Sequence, residues 1–190
     1  MGYSTWFDGS FTFNKPVSPA LKDYVNRFSK IRHMKRDVSK IKEKYPLYKN
    51  INLGVDGEYF ESGKENDGTV IDYNKPPSTQ PGLWCQWVIN DNDELEWDGG
   101  EKFYNYIEWL EYMIDNFFEP FGYKLKGKVT WEGDDSDDIG MIVVKNNDVT
   151  IKYGHVVYSF DEPKEEVRCK YCGCLFSANE TICSHCGAPR

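Results

Sequence analysis

Histidine is nearly missing from this chain. Only His33, His155 and His185 occur in 190 residues, so a mechanism built on imidazole has few places to begin. Cysteine is almost as scarce before the tail, where Cys85 stands alone. It sits in the apolar run Leu83-Trp84-Cys85-Gln86-Trp87-Val88-Ile89 and reads as a small buried hydrophobe rather than a nucleophile. The sequence contains no Gly-rich phosphate loop, no Gly-x-Ser-x-Gly and no His-Glu-x-x-His. No stretch approaches the ~20 apolar residues that cross a bilayer. The N-terminus lacks the apolar run of a secretory signal. These absences predict a cytoplasmic protein, in a bacterial or host-cell cytosol, with no membrane partner.

What the chain does have is aromatic mass. Aromatic residues make up 16% of it and six are tryptophan, enough to build a core and to exclude a disordered chain. Charge is unevenly placed. The formal net charge is −8, yet residues 26–50 carry nine Lys/Arg against only Asp37 and Glu43. Residues 91–138 hold fifteen Asp/Glu and four lysines. Such asymmetry suits a charged partner, although solvated faces that keep the protein dissolved are the better explanation of it.

The tail carries the clearest chemistry. Cys169-Lys170-Tyr171-Cys172-Gly173 is followed ten residues later by Cys183-Ser184-His185-Cys186-Gly187. Two Cys-x-x-Cys turns at this separation predict one structural Zn²⁺ held by Cys169, Cys172, Cys183 and Cys186. Four thiolates close a tetrahedral shell and leave no position for a reactive water. Cys174 in place of Cys172, or His185 in place of a cysteine, are the alternative ligands. Disulfides suit an exported protein, and a redox pair uses one such motif rather than two. The segment is too short to fold on a core of its own, so the metal would drive its folding.

Periodicity predicts an α+β body. A strand is expected over 6–13 and a helix from Pro19, capped by Ser18, to about residue 36. Residues 52–82 read as irregular, with short strands at Glu58–Glu61 and Thr69–Tyr73. Strands follow at Leu83–Ile89 and Leu95–Trp97. Asp98-x-x-Glu101 resembles a capping box that opens a second helix through Phe103, Ile107, Leu110, Ile114 and Phe117. Tyr123–Trp131, Ile139–Val144 and Val149–Tyr153 complete the strands, the last two as a hairpin at Asn146-Asn147. Residues 155–160 would extend the sheet. The order fits an antiparallel sheet with two helices, a ferredoxin-like split βαβ with an added hairpin. The expected divisions are an α+β domain over 1–160, a linker over 161–167 and a zinc ribbon over 168–190.

Two further residue sets are candidate sites. Arg27, Lys30, Arg32, Lys35 and Arg36, with Lys40, Lys42 and Lys44 beyond, could meet nucleic-acid phosphates. Asp72, Tyr73, Asn74, Gln80, Trp84, Gln86, Trp87, Asp98, Glu101 and Lys102 form a polar-aromatic set that could line a pocket. Within it Asp98 and Glu101 could act as acid and base, though the capping box accounts for both. Asp134–Asp138 reads as a solvated turn rather than a cation loop.

Several motifs together carry a resemblance. They are Met1-Gly2-Tyr3 with Phe7-Asp8-Gly9, Gly57-Glu58-Tyr59-Phe60, Asp72-Tyr73-Asn74-x-Pro76-Pro77, the run from Gln80 to Trp87, Trp97-Asp98-Gly99-Gly100-Glu101-Lys102-Phe103-Tyr104 and Glu108-Trp109-Leu110. The chain resembles a family of uncharacterised proteins of bacteria and their phages over most of residues 1–150. The tail resembles a bacterial zinc ribbon that ends Cys-x-x-Cys-Gly-Ala-Pro. The resemblance implies a phage or mobile-element origin and no particular activity.

These readings converge on a non-enzymatic binding protein. It would act through protein contacts, for instance as an acidic inhibitor or DNA mimic of a host nucleic-acid enzyme or defence system. Nucleic-acid binding through residues 27–44 is the alternative, and an enzyme with a pocket around Asp72–Lys102 ranks last.

Overall fold

Strand β1, Thr5–Phe13, alternates as its sequence does. Phe7, Phe11 and Phe13 turn inward, while Trp6, Asp8, Ser10 and Thr12 take the other face. Its partner β6, Leu125–Gly133, does the same, with Leu125, Val129 and Trp131 buried and Lys126, Lys128, Thr130 and Glu132 exposed. The two strands pair antiparallel over nine residues, from Thr5 opposite Gly133 to Phe13 opposite Leu125. Two glycines make this approach feasible. A Cβ on Gly9 (φ +107°) would lie 2.5 Å from the Lys128 carbonyl, and one on Gly127 (φ +151°) would lie 2.5 Å from the Ser10 carbonyl.

The structure, a computed structural model, describes residues 2–157 and 165–190. It divides into two compact units, Met1–His155 and Val156–Arg190. In the first, helix α1 spans Pro19–Phe28, strand β2 Lys35–Arg36 and helix α2 Val38–Lys44. Strands β3 Val70–Asp72, β4 Trp87–Ile89 and β5 Glu94–Trp97 follow. Helix α3, Tyr106–Met113, runs on through a π turn at Ile114–Phe118 and a 3₁₀ turn at Glu119–Phe121. After β6 come β7 Ile139–Lys145 and β8 Asp148–Tyr153. The main sheet is six-stranded and antiparallel, ordered β4-β5-β1-β6-β7-β8. The β7–β8 turn places Asn146 and Asn147 at φ +53° and +77°, the left-handed pair a tight hairpin needs. The fold is thus mixed α+β, with few helices.

The core lies between the inner sheet face and helices α1 and α3. Phe11, Phe28, Trp87, Trp109, Leu110, Phe118, Leu125 and Val129 are fully buried there. Phe28 meets Trp109 and Phe117 edge-on and lies parallel to Tyr112, which joins the helices to each other through aromatic contacts.

Several expectations need correction. Helix α1 ends at Phe28, not near residue 36. The backbone tightens at Lys30 and Ile31, which bond to Arg27 and Phe28. Loop carbonyls then capture the chain, since His33 N–H donates to Leu83 and Lys35 N–H to Lys75. Second, Asp98 caps no helix. Gly99 (φ +83°), Lys102 (φ +61°) and Asn105 (φ +54°) hold that stretch outside helical geometry, and α3 begins only at Tyr106. Third, the Leu83–Ile89 strand shrinks to Trp87–Ile89, and Glu58–Glu61 is no strand. Of the expected 155–160 extension, residues 155–157 are not strand and 158–160 lie outside the described residues, as do 161–164 of the expected linker.

The long segment 52–82 is held by its own small core and one buried ion pair. Ile41 of α2 packs with Leu53 and Phe60. Asp37 caps α2 by accepting from Ser39 and Lys40 N–H. Arg36, 3% exposed, places Nη1 3.0 Å from Asp67 and donates through Nη2 to the Lys64 carbonyl at 3.0 Å. Burial alone would raise the Asp67 carboxyl. Hydrogen bonds from the Thr69 and Tyr45 hydroxyls and the Thr69 N–H, with the Arg36 charge, outweigh it and hold the group at about 2.

Asp67→Asn should cost about 3 kcal/mol near neutral pH, because it leaves Arg36 buried without a counter-charge. A depressed carboxyl stabilises the fold above its unfolded value of about 3.9 and loses that contribution as pH falls toward 2. Urea midpoints of both proteins would show the gap at neutral pH closing in acid.

His33 is also held below its ordinary value, by burial rather than by partners. The ring is buried between Phe28 and Trp109, and burial pushes it down to about 3 against a weaker bond to the Phe28 carbonyl. The unfolded chain takes up this proton near pH 6.5, so stability should fall below that pH by up to about 1.4 kcal/mol per unit. His33→Phe should flatten the urea-midpoint profile between about pH 6.5 and about pH 4; an unchanged slope would contradict the assignment.

Candidate functional site

The C-terminal unit is built from two turns of the same design. In the first, Cys169 N–H donates to the Cys174 carbonyl at 2.8 Å and Gly173 N–H to Cys169 at 2.9 Å. In the second, Cys183 N–H donates to Ala188 at 2.8 Å and Gly187 N–H to Cys183 at 2.9 Å. Gly173 and Gly187 sit at φ +73° and +74°, a conformation glycine adopts without Cβ strain. Strands β9, Glu166–Arg168, and β10, Leu175–Ser177, pair across the first turn. Phe176 is buried with Cys169 and Cys183.

The two turns bring four sulfurs together. Cys169, Cys172, Cys183 and Cys186 offer Sγ atoms that all lie within 4.8 Å of one another. Cys169 and Cys186 are 3.6 Å apart, and Cys172 and Cys183 3.7 Å. A tetrahedron with metal–sulfur bonds of ~2.3 Å has edges of about 3.8 Å, so the set is dimensioned for one ion. Neither Cys174 nor His185 belongs to it. The backbone also prepares for thiolate. N–H groups of Cys172 and Tyr171 point at Cys169 Sγ and draw its thiol down to about 6.

The other candidates scatter, and they divide in an informative way. Trp87 is in the core, its Nε1 donating to the Tyr106 carbonyl. Gln80 is buried and donates to the Glu58 carbonyl at 2.8 Å and the Tyr112 hydroxyl at 3.3 Å. Gln86 bridges the end of the β4–β5 hairpin, accepting from Trp97 Nε1 and donating to the Glu101 carbonyl. Asp98 accepts from Gly100 N–H at 2.8 Å, and burial raises its carboxyl. Glu101 and Lys102 are exposed, and no hydrogen bond joins the Asp98 and Glu101 carboxylates among the described residues. Asp72 accepts from Asn74 N–H. Tyr73, Asn74 and Trp84 instead gather around Arg32.

The basic set also divides. Arg27 meets Asp23 and Glu61, Lys35 meets Asp56, and Arg36 is buried on Asp67. Lys30 and Arg32 have no carboxylate in ion-pair range among the described residues. Cys85 is fully buried and its thiol is pushed up to about 12, chiefly by burial, so it is no nucleophile at neutral pH.

Sequence reasoning missed the buried polar groups beneath the long loop. Glu58 accepts from the Tyr112 hydroxyl and Val55 N–H, and Glu61 from Arg27 and the Tyr48 hydroxyl. Their only local sign is a run of acids in an aromatic stretch. It also missed a cavity of about 800 Å³ lined by Tyr24, Tyr48, Tyr59 and Phe117. No family model, curated protein or solved structure matches this chain in comparison with known proteins. Among the described residues no helix is long and apolar enough to cross a membrane.

Serine at any of the four clustered cysteines should weaken metal binding enough that a chelator strips the ion before gel filtration, since three thiolates leave the fourth position to water. Cys174→Ser should bind one ion as wild type does. Metal analysis of the gel-filtered proteins distinguishes the two outcomes.

Proposed function

We propose that the C-terminal unit is a zinc ribbon with one structural Zn²⁺, and that the chain is a non-enzymatic binding protein acting through protein contacts. The observation that carries this reading is the closed four-sulfur set, made by two turns of equal geometry. Zinc fits four thiolates at tetrahedral spacing, and a full shell leaves no position for substrate or activated water. The body reads as a ferredoxin-like split βαβ with the β7–β8 hairpin added. Its support is the strand order β4-β5-β1-β6 with two helices packed in one core.

The partner that fits is a basic protein surface. Glu108, Glu111, Asp115 and Glu119 are exposed and recur along α3 and its extension. Asp134, Asp135 and Asp137 are exposed in the turn after β6. Carboxylates spaced along a helix can stand where phosphates would on DNA, which agrees with an inhibitor of a host nucleic-acid enzyme or defence system. The motif resemblance supports a phage or mobile-element source for such an inhibitor.

Cobalt substitution tests the metal part. A closed tetrathiolate should give intense visible ligand-field bands that added azide leaves unchanged; bands that shift with azide would reveal an open position and overturn the structural role. Strong chelator should collapse the amide NMR signals of residues 165–190 and leave those of residues 2–157 in place. For the partner, nuclease-treated host lysate should yield a stoichiometric protein on the wild-type chain. Reversal of Glu108, Glu111, Asp115 and Glu119 to lysine should release it. Retention by the reversed variant removes the acidic face from the reading.

A further inference from the structure

Residues from the two scattered candidate sets meet at one surface pocket. Arg32 follows α1, and its backbone neighbourhood is fixed on both sides by bonds to the loop, His33 N–H to Leu83 and Lys35 N–H to Lys75. Strand β2 pairs with β3, which puts Tyr73 just past the end of the ladder. The Arg32 guanidinium lies 4.3 Å from the Tyr73 ring centroid and 5.8 Å from that of Trp84. Its Nε donates to the Tyr73 carbonyl at 3.1 Å and its Nη2 to Asn74 Oδ1 at 3.4 Å. The side chain is therefore held in place without a carboxylate to neutralise it.

The pocket around it has a volume of about 590 Å³, with Lys30, Lys64 and Glu65 among its lining residues. Lys30, Arg32 and Lys64 have no ion-pair partner among the described residues. Glu65 accepts from the Tyr73 hydroxyl at 3.1 Å and is the one carboxylate in the lining. Tyr73 and Trp84 are 43% and 41% exposed, so each offers ring surface to a ligand. Three cations against one carboxylate make a local positive site in a chain whose net charge is −8.

The geometry points to a nucleotide as the ligand of this pocket. Its base would stack on the exposed face of Trp84, and its phosphate would be met by Arg32, Lys30 and Lys64. Aromatic faces take any base, while cations track the phosphate. Arg32 already lies against both rings, and a guanidinium donates from its edge while its flat face stays stacked. The inference is independent of the zinc site and of the acidic face. The same chemistry is offered by a free mononucleotide and by a nucleotide within a single strand.

The zinc-loaded full chain should be titrated at low salt with adenosine monophosphate, inorganic pyrophosphate and a fluorescein-labelled oligodeoxythymidine. Saturable binding of the mononucleotide alone makes free nucleotide the source; binding of the oligonucleotide alone makes it a strand. Either supports the site if Trp84→Ala and Arg32→Gln each weaken binding about tenfold or more. Trp84→Phe, which keeps a ring, should retain most affinity and guards against misfolding. Lys64→Glu should weaken binding and, for the oligonucleotide, shallow the log–log salt slope by about 0.7. No binding of mononucleotide or oligonucleotide overturns the inference. So does binding that Trp84→Ala and Arg32→Gln leave unchanged. Pyrophosphate binding as tightly as the nucleotide, indifferent to Trp84, would mark an anion site only and overturn it too.

Discussion

The buried pair of Arg36 and Asp67 is the constraint on which the less regular half of the body depends. Residues 52–82 contain little regular structure beyond the 3₁₀ turn Val55–Gly57 and strand β3. A segment of that kind is ordered only if something satisfies its backbone and fixes its ends. Arg36 does both. It reaches Asp67, the Thr69 hydroxyl and the Lys64 carbonyl, and its ring neighbour Phe60 belongs to the small core under the loop. The pocket around Arg32 inherits its shape from this anchor. Lys64, Glu65 and Tyr73 all lie on the segment that Arg36 ties down. A buried ion pair contributes little net stability against an apolar substitute, but it tolerates no half-measures, because one partner alone is a buried charge. Specific placement of the loop is the better explanation for its presence.

The C-terminal unit meets the same problem with four cysteines positioned to hold a metal ion. Its buried set is Cys169, Phe176 and Cys183, with Val167 and Ala188 against them. So little apolar surface cannot offset the ordering of its chain. Four thiolates on one metal ion would do the work that a hydrophobic core does in the body. This is why the two turns are so similar in their backbone bonds. Each must fix two sulfurs and turn N–H groups toward them, and few backbone paths do both.

Legibility followed period and punctuation. β1, β6 and the β7–β8 hairpin were readable because alternation and Asn-Asn each have a direct backbone meaning. The four sulfurs were readable because Cys-x-x-Cys spacing is set by ligand geometry. The end of α1 was not, since Ile31 continues the helical stripe and only the distant carbonyls of Leu83 and Lys75 end it. The capping box at Asp98 misled for a related reason. Asp98 does accept from a nearby N–H, that of Gly100, but the positive φ values that follow turn an apparent cap into a loop closure. Helix α2 escaped notice because its apolar face is only Val38 and Ile41, and its partners Leu53 and Phe60 come from the loop. The basic stretch was visible as charge, but its division into paired and unpaired residues depends on Asp23, Asp56, Glu61 and Asp67, which periodicity does not bring near.

That division bears on how an acidic protein can hold an anion at all. With a net charge of −8, long-range attraction does not favour a phosphate, and screening removes most of the field beyond ~8 Å at physiological salt. Recognition must then be short-range. The Arg32 site meets that requirement, since three cations without an ion-pair partner among the described residues face one carboxylate there, and its rings add contact that salt does not screen. The acidic surface and the small basic pocket are therefore compatible. The acidic surface weakens long-range attraction, and the pocket would act at short range, on a ligand that reaches the open face of Trp84 and the three cations.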